Sequence, residues 1–433
     1  MSALRFDIEW HDGTGIKGPE LAATFASFRM ATTGSVLTQV HDHRAQTLRE
    51  AVHVPLYPLA EWLVSNWWFV AYEAQNRINS ADPAWAHRHC LVTGAEGYAL
   101  PDVRFSAAGR QIRIDWKSRT PEQSKLEFRN SGSAVVDRDE FLRDCSELVE
   151  TVARRLTACD VTSSYLQTEW ATIQSTDADE LLFCATAAGL GRDPYAVDDE
   201  TEHLILRVGE MLGDLREEAL PAIDGAAPLD ACGALQDAMD AALPNEVHLS
   251  PRLLHAGSHR GRTERPWQEG YELARRLRHS LGMNGELVAD TATLAEALGH
   301  ESTTLERIIQ PVAPLRTLSL IDGVVQRRSH DTASFGLRAS GETGRRFQFC
   351  RALAETLTTD TDALVTKAST QRQQRNRAFA AEFLAPSASL RERISDQMVD
   401  QDHVTDLAEE FGVSTYVVEH QISNHRIAEL VDA

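Results

Sequence analysis

The sequence lacks the short signatures that identify several enzyme classes directly. It contains no P-loop and no GxGxxG turn, so phosphate binding through either glycine-rich loop is not indicated. No serine stands in the glycine-rich elbow of an α/β-hydrolase nucleophile. None of the six cysteines belongs to a CxxC pair, which argues against a zinc ribbon and against a thioredoxin-like redox site.

Long apolar runs are also absent. No stretch of about 18 apolar residues occurs, so the sequence predicts no membrane span. The first residues, MSALRFDIEWHDG, lack the basic and apolar segments of a secretory signal. Scattered cysteines in a chain of this size are typical of reduced core residues, and we therefore expect a cytoplasmic protein.

Basic residues are scarce in the middle of the chain. The net charge is −21, and residues 131–250 hold 7 basic and 25 acidic residues, whereas residues 1–130 are neutral. An acidic surface of this kind repels nucleic acid and attracts a basic protein partner. The alternative interpretation is a solvated helical surface that aids solubility.

The patterning predicts an α+β protein with several domains. Residues 1–130 show period-two runs broken by glycine, which are typical of strands, together with a tryptophan-rich helix over 59–75. Residues 131–250 are predicted to form an acidic helical domain. Residues 251–433 combine amphipathic helices with strands near 316–340, and we expect a further α+β domain there. A length of 433 residues exceeds what one hydrophobic core usually holds, in agreement with this division.

Three short segments in the last two-fifths of the chain form a recognisable set. RRF at 345–347 leads into a helix, FAAEFLAP follows at 379–386, and FGVS at 411–414 lies between two helical segments. In this order of pieces, residues 267–430 resemble the ImmA/IrrE-type zinc metallopeptidases. The resemblance implies a zincin-like domain. It also implies a setting in which family members cleave repressors or other regulators, in mobile-element control, stress response or phage defence.

The residues that would carry the chemistry of that family depart from its pattern. Family members have HExxH after RRF, so that two histidines bind zinc from one helix face and the glutamate activates water. In this register the chain has Arg351, Ala352 and Glu355, and no HExxH occurs elsewhere. The run STQRQQRNRA at 369–378 contains no acid, where the family has its third ligand. Because arginine cannot deprotonate to bind a metal, we predict a pseudopeptidase without metal or other cofactor.

The leading hypothesis is therefore a non-catalytic regulatory or sensing protein whose peptidase-like domain binds a protein partner or an anionic ligand. Residues 325–377 hold ten basic and five acidic residues, which favours an anion site at the former metal position. The candidate residues of this site are Arg345, Arg346, Arg351 and Glu355. Internal pairing is the alternative, since Arg351 and Glu355 stand four residues apart on one helix face. An active peptidase with unorthodox metal ligands is the least favoured hypothesis.

A different class of function is suggested by the N-terminal segment. Asp102 follows a proline, and Asp115 and Lys117 follow in the order DxK within a predicted hairpin, which fits the loose pattern PD…DxK. In nucleases with this pattern, two carboxylates bind Mg²⁺ and the lysine activates water or contacts the scissile phosphate. Convergence with a third acid such as Glu96 would strengthen the alternative of a metal-dependent nuclease. A plain hairpin is the competing interpretation.

Two further patterns have simpler interpretations. Residues 403–426 have the spacing of a helix-turn-helix, but residues 391–433 hold three basic and ten acidic residues, so we expect no binding of nucleic acid through this segment. The clusters HDH at 41–43 and HRHC at 87–90 offer metal-ligating side chains. Nothing nearby completes a tetrahedral set at standard spacing, so surface or core histidines are the favoured interpretation.

Overall fold

The chain divides into two compact units, Met1–Glu210 and Met211–Ala433. A computed structural model describes residues 4–75, 82–121, 124–223, 225–258, 265–283, 285–395 and 397–431. Both units contain helices and strands, which confirms the α+β multidomain class. The domain bounds 1–130, 131–250 and 251–433 stay a prediction, and the acidic stretch 131–250 contributes helices to both units.

The first unit is built on small antiparallel sheets. Its strands are β1 (Arg5–Trp10), β2 (Phe25–Thr32), β3 (Ser35–Val36), β4 (Val40–Asp42), β5 (Thr47–Arg49), β6 (Val52–Pro55), β7 (Asp102–Ala107), β8 (Gln111–Lys117), β9 (Leu126–Phe128) and β10 (Gly132–Asp137). Strand β2 pairs with β1, β3 and β6, strand β8 lies between β7 and β10, and strand β4 lies between β5 and β9. Strands β7 and β8 form the hairpin that the sequence predicts.

The helices of this unit bury apolar faces against the sheets. They are α1 (Pro19–Ala23), α2 (Tyr57–Ser65), α3 (Trp67–Tyr72), α4 (Pro83–His89), α5 (Arg138–Ala158), α6 (Tyr165–Ser175), α7 (Ala178–Gly189) and α8 (Asp199–Leu212), the last of which crosses the unit boundary. The tryptophan-rich segment forms two helices, because Asn66 between them is not helical and its side chain donates to the carbonyl of Trp62.

The acidic helices α5 and α6 join the core of the first unit through aromatic contacts. Phe141 of α5 packs on Phe105 of β7 with ring centroids 5.2 Å apart. Trp170 of α6 packs edge-on against Trp67 of α3 at 5.1 Å. Burial of these apolar faces explains why this part of the acidic stretch belongs to the first unit.

The second unit combines a sheet with a larger set of helices. The helices are α9 (Arg216–Ala219), α10 (Pro228–Ala242), α11 (Pro251–Ser258), α12 (Pro266–Ser280), α13 (Thr291–Leu298), α14 (Ser302–Ile308), α15 (Glu342–Thr358), α16 (Gln371–Leu384), α17 (Ser387–Arg393), α18 (Gln401–Phe411) and α19 (Thr415–Asn424). The strands are β11 (Glu246–His248), β12 (Ile321–Ser329), β13 (Thr332–Leu337), β14 (Ala363–Thr366), β15 (Met398–Val399) and β16 (Glu429–Leu430). The main sheet has the antiparallel order β11-β13-β12-β14.

Helices α15 and α16 lie at the centre of this unit. Phe349 and Leu353 of α15, together with Phe379 and Phe383 of α16, belong to one buried apolar cluster. Helix α12 approaches α16 closely at Gly270, where a Cβ atom would lie 2.2 Å from the carbonyl oxygen of Arg375. Glycine is therefore required at this crossing, and it brings the two helices into backbone contact.

The turn between α18 and α19 also depends on a glycine. Gly412 has a φ of 60° in the left-handed region, and its N–H closes the end of α18. A Cβ atom there would overlap the carbonyl oxygen of Ala289, so any other residue would displace the turn. None of the helices within the described ranges is long and apolar enough to cross a membrane.

Candidate functional site

Arg351 is buried in α15 and held by acceptors from three other elements. Its side chain is 3% exposed, and Nη1 donates to Oδ2 of Asp322 in β12 at 2.7 Å. Nη2 donates to the side-chain oxygen of Gln373 in α16 at 2.9 Å and to the carbonyl of Thr366 in β14. The other oxygen of Asp322 accepts from Arg338 at 2.7 Å. The guanidinium is thus tied to the sheet and to α16 at the same time.

Glu355 lies one turn further along α15 and is fully buried against α16. Its Oε2 atom accepts from Arg372 at 2.7 Å and from Arg375 at 3.5 Å, and Oε1 accepts from the amide of Asn376. Arg372 reaches a second carboxylate, Glu218 of α9, at 2.8 Å. Two carboxylates and two guanidinium groups therefore form one network beneath α16.

Arg351 and Glu355 do not pair with each other along α15, although their spacing of four residues suggests such a pair. Among the described contacts, Arg351 pairs with Asp322, whereas Glu355 pairs with Arg372 and Arg375. Each residue of the α15 pair is neutralised by partners far away in the sequence. Internal pairing therefore occurs, but through other elements and not along the helix.

The groups at these positions do not fit a zinc ion. Zinc requires deprotonated nitrogen, sulfur or carboxylate ligands arranged around an open point. Here one position is a guanidinium, and the carboxylate of Glu355 already faces two guanidinium groups and an amide. A dication placed beside Arg351, Arg372 and Arg375 would meet three positive charges, so electrostatic repulsion opposes its binding.

Glu218 is the unusual member of the network. Burial raises the pKa of its carboxyl to about 7, with the pairing to Arg372 opposing this shift and the negative charge of Glu355 adding to it. Glu218 lies in the short helix α9, within the acidic stretch 131–250. A solvated surface is one interpretation of the acidic residues in this stretch. The pairing of Glu218 with Arg372 can be recognised only from the fold, which brings α9 next to α16.

Replacing Glu218 by glutamine is expected to remove a pH-dependent part of the stability. Because the folded-state pKa lies above the ordinary value of 4.5, the carboxyl keeps its proton in the folded chain after the unfolded chain has released it. As the pH rises from about 4.5 to about 7, the free energy of unfolding of the wild type should therefore fall by on the order of 2–3 kcal/mol relative to that of Glu218→Gln. Urea unfolding at pH 5 and pH 8 measures the difference. The same difference between the two proteins at both pH values would contradict the prediction.

The adjacent arginines of the RRF segment lie in different surroundings. Arg346 is 1% exposed and donates to the carbonyl of Ala289 and, at 2.7 Å, to the carbonyl of Gly412. Arg345 is half-buried and donates to the side chain of Gln310 at 2.9 Å. The residues of the expected anion site therefore have separate internal partners and do not point to one shared ligand position.

The candidate nuclease residues lie on one face of the β7–β8 hairpin. Asp102 stands directly opposite Lys117 in the register, and Asp115 stands opposite Arg104. Asp115 is paired with Arg113 at 2.7 Å, and Asp102 accepts from the thiol of Cys90 at 3.3 Å. In the described part of the chain, neither carboxylate joins a group of three or more ligating side chains, and Glu96 does not complete one.

A cluster of metal-ligating side chains does occur elsewhere in the first unit. His41, His43 and Glu127 place one ligand atom each within 4.8 Å of one another. His43 Nε2 lies 3.0 Å from Glu127, and the same carboxylate pairs with Arg129 at 2.7 Å. This cluster is at the surface, and the arginine competes with a cation for the carboxylate.

Of the two histidines in the second short cluster, His87 is exposed and His89 is a core residue. His89 is fully buried, with Nδ1 at 2.7 Å from the carbonyl of Phe105 and Nε2 at 3.0 Å from Glu73. Its ring stacks on Trp85 at 4.1 Å. Both nitrogens are used, so no ligand position is left for a metal.

A cavity of about 1110 Å³ opens in the second unit between α12, α16, α19 and the first turn of α15. Aromatic side chains line it, among them Trp267, Tyr271, Phe347 and Tyr416, and Arg377 projects from α16. Arg377 is one of the ten basic residues of 325–377 but is not among the predicted site residues. Its spacing could have indicated a shared surface. Arg377 stands three residues after Gln374 and four before Ala381, so all three lie on the face of α16 that lines the cavity.

Comparison with known proteins bears on this unit alone. Residues 339–423 match the family model described as the IrrE N-terminal-like domain, peptidase family M78. The match begins just before α15 and ends within α19, so it includes Arg351, Glu355 and the arginines of α16. The partners Asp322 and Glu218 lie outside it. No curated protein and no solved structure shows significant similarity to the chain.

Proposed function

We infer, from the premise that this chain is an ImmA/IrrE-type family member through its IrrE N-terminal-like domain, that it acts as a non-catalytic regulatory or sensing protein. The observation that carries the proposal is the ion network at the positions of the family's zinc ligands. Arg351 and Glu355 are buried and paired with Asp322, Arg372 and Arg375. Because the residues at the metal positions form internal ion pairs, the domain cannot use zinc there to polarise a peptide carbonyl.

The same residues support a structural role for the altered positions. Helices α15 and α16 carry the apolar residues that keep the domain folded, and the ion pairs hold the helices against β12 and β14. The fold is thereby maintained while the hydrolytic groups are replaced. Such a domain can still bind a ligand or partner, and this binding is the activity that we propose for it.

The biological setting is taken from the family as part of the proposal. Members that act on repressors or other regulators suggest a role in gene regulation, stress response, mobile-element control or phage defence, by analogy with the fold. A basic protein partner is proposed for the acidic stretch 131–250, which holds 25 acidic and 7 basic residues. The proposed location is the cytoplasm, because the six cysteines are unpaired.

The alternative of a metal-dependent nuclease has less support. Asp102 and Lys117 are cross-strand neighbours, as the pattern requires. However, the guanidinium of Arg113 holds both oxygens of Asp115, at 2.7 and 2.9 Å. Within the described residues no third acid joins them, so the pseudopeptidase proposal is preferred.

Metal analysis of the purified protein tests the proposal directly. The full chain, prepared without chelator or histidine tag, is expected to contain far less than one zinc per chain and to leave casein and model peptides uncut. The surface cluster of His41, His43 and Glu127 is a possible second source of bound zinc, so His43→Ala serves as the matched control.

The outcomes of this measurement differ in meaning. Zinc that is present in the wild type and absent from His43→Ala belongs to the surface cluster and leaves the proposal standing. Stoichiometric zinc that remains in His43→Ala, together with zinc-dependent peptide cleavage, would show that the domain is an active peptidase with unorthodox ligands.

A further inference from the structure

The cavity beside α16 differs in charge from the protein around it. None of the described residues that line it is aspartate or glutamate, although the whole chain carries 64 acidic residues and only 43 lysines and arginines. The lining instead includes Arg275, Arg377, His420 and His425. Helix α19, which forms one side, belongs to a segment with a net negative charge. A cavity without carboxylates in such surroundings favours an anion over a cation.

Arg377 is the charged group that is left for a ligand. Arg275 is already paired with Glu382 at 2.8 Å. Arg377, in contrast, has no carboxylate within 4 Å among the described residues, and both Nη atoms donate to a single backbone carbonyl, that of Ala368, at 3.1 Å. A guanidinium carries five N–H donors, so several of them remain for an anion in the cavity.

The electrostatics around Arg377 point in the same direction. Burial lowers the pKa of its guanidinium to about 10, and the positive charge of Arg351 adds to this effect. A half-buried cation beside a second cation is a costly arrangement. An anion in the cavity would offset that cost, because the opposing negative charge of Asp322 is outweighed by burial and by Arg351.

Two helices also begin at the cavity. Thr343 and Gly344 of the first turn of α15 line it, as do Ser414 and Tyr416 at the start of α19. The N-cap residue of neither helix accepts a hydrogen bond from its helix through a side chain. The positive end of the helix dipole at each of these helix starts adds to the attraction that Arg377 exerts on an anion.

The rest of the wall is aromatic and apolar. Trp267 is 41% exposed and Tyr416 is 63% exposed, although both are large side chains that usually gain from burial. Phe347 and Val417 extend the apolar surface. The volume of about 1110 Å³ is at the upper end of the range for small-molecule sites, so a whole small ligand has room.

We propose that this cavity binds a small organic anion whose acid group pairs with Arg377 and whose aromatic or aliphatic body packs on Trp267, Phe347 and Tyr416. The inference rests on the proposed ligand-binding role of the domain and names the class of ligand. It also moves the anion site from the buried Arg351 to a residue that a ligand can reach. The acid group of such a ligand can be a carboxylate, a phosphate or a sulfonate, since the guanidinium of Arg377 pairs with each of them.

Binding of 2-naphthoate to the full chain tests the proposal, with the uncharged 2-naphthamide as the matched probe. Calorimetry or equilibrium dialysis is expected to show naphthoate binding at least tenfold more tightly than the amide. Arg377→Gln should abolish this preference, while Arg328→Gln, which removes an exposed arginine of β12, should leave it unchanged.

A second pair of variants guards against a folding defect in Arg377→Gln. Ser414 is exposed at the N-cap of α19 and lines the cavity. Aspartate and asparagine are both good N-cap residues of nearly equal size, so Ser414→Asp and Ser414→Asn differ mainly in charge. The aspartate variant is expected to bind naphthoate several-fold more weakly than the asparagine variant, with equal binding of the amide.

The possible results separate this inference from the proposed function. No binding of naphthoate at millimolar concentration, or equal affinity for acid and amide, would overturn the organic-anion site. Unchanged affinity in both Arg377→Gln and Ser414→Asp would place the anion elsewhere and overturn it as well. Zinc content and proteolysis are measured on the same preparation, so an active peptidase would be detected whether or not naphthoate binds.

Discussion

Replacing Arg351 by alanine is expected to lower the free energy of unfolding of the second unit by about 3–5 kcal/mol, the usual cost of breaking a buried ion pair from one side. The substitution removes the guanidinium donor from an oxygen of Asp322 and from the carbonyl of Thr366 in a buried site. The side-chain oxygen of Gln373 loses one of its two donors and keeps the N–H of Thr366. The substitution also leaves a void where a long side chain was packed. Each of these losses acts in the same direction.

Urea unfolding of the full chain measures this effect, and hydrogen exchange of α15 and α16 assigns it to the second unit. Arg328→Ala is the matched control, because it removes the same side chain from an exposed position on β12 and is expected to change stability by no more than about 0.5 kcal/mol. If Arg351→Ala were as stable as the wild type, the ion pairs would not hold the domain together. A gain in stability would indicate instead that Arg351 is kept at a cost for binding.

Much of the fold of the second unit could be predicted from local sequence. The residues of RRF, FAAEFLAP and FGVS mark helices or turns because apolar side chains such as Phe349 and Phe383 recur at helical spacing and become buried. Gly412 could be placed at a helix end because glycine tolerates the left-handed backbone there. These signals survive the loss of the zinc ligands, since packing does not depend on the metal.

The partners of the altered positions could not be predicted in the same way. Asp322 pairs with Arg351 over 29 residues of sequence, and Glu218 pairs with Arg372 over 154 residues. Neither acidic residue lies in a sequence pattern that predicts the contact. The spacing of Arg351 and Glu355 favoured a pair along the helix, but a buried charge takes whichever partner the tertiary packing brings to it. Local periodicity is silent about such long-range pairs.

The division into domains was obscured for a related reason. Charge separated the stretch 131–250 from its neighbours, but charge describes the solvent-facing side of a helix and not the side that packs. Phe141 and Trp170 place two of these helices in the first core, while Glu218 belongs to the second unit. The apolar faces, and not the net charge, decide which unit a helix joins.

Replacing Arg346 by alanine is the second change expected to have a large effect, because this residue joins two of the family segments. Its guanidinium donates to the carbonyl of Gly412 in FGVS and to that of Ala289 before α13. Hydrogen bonds to a charged donor are worth about 1.5–3 kcal/mol each, so the loss of both should cost about 3–5 kcal/mol. Among the described hydrogen bonds, the one to Gly412 is the bond that joins α15 to the turn between α18 and α19.

The neighbouring arginine provides the control for this prediction. Arg345→Ala removes a half-buried side chain whose described hydrogen bond goes to the side chain of Gln310, so a change of about 1 kcal/mol or less is expected. Thermal and urea unfolding of both variants measure the contrast, and hydrogen exchange should show faster opening of α18 and α19 in Arg346→Ala only. Equal destabilisation by the two variants would mean that the RR pair acts as a unit. The link between the RRF and FGVS segments would then not depend on the hydrogen bond from Arg346 to Gly412.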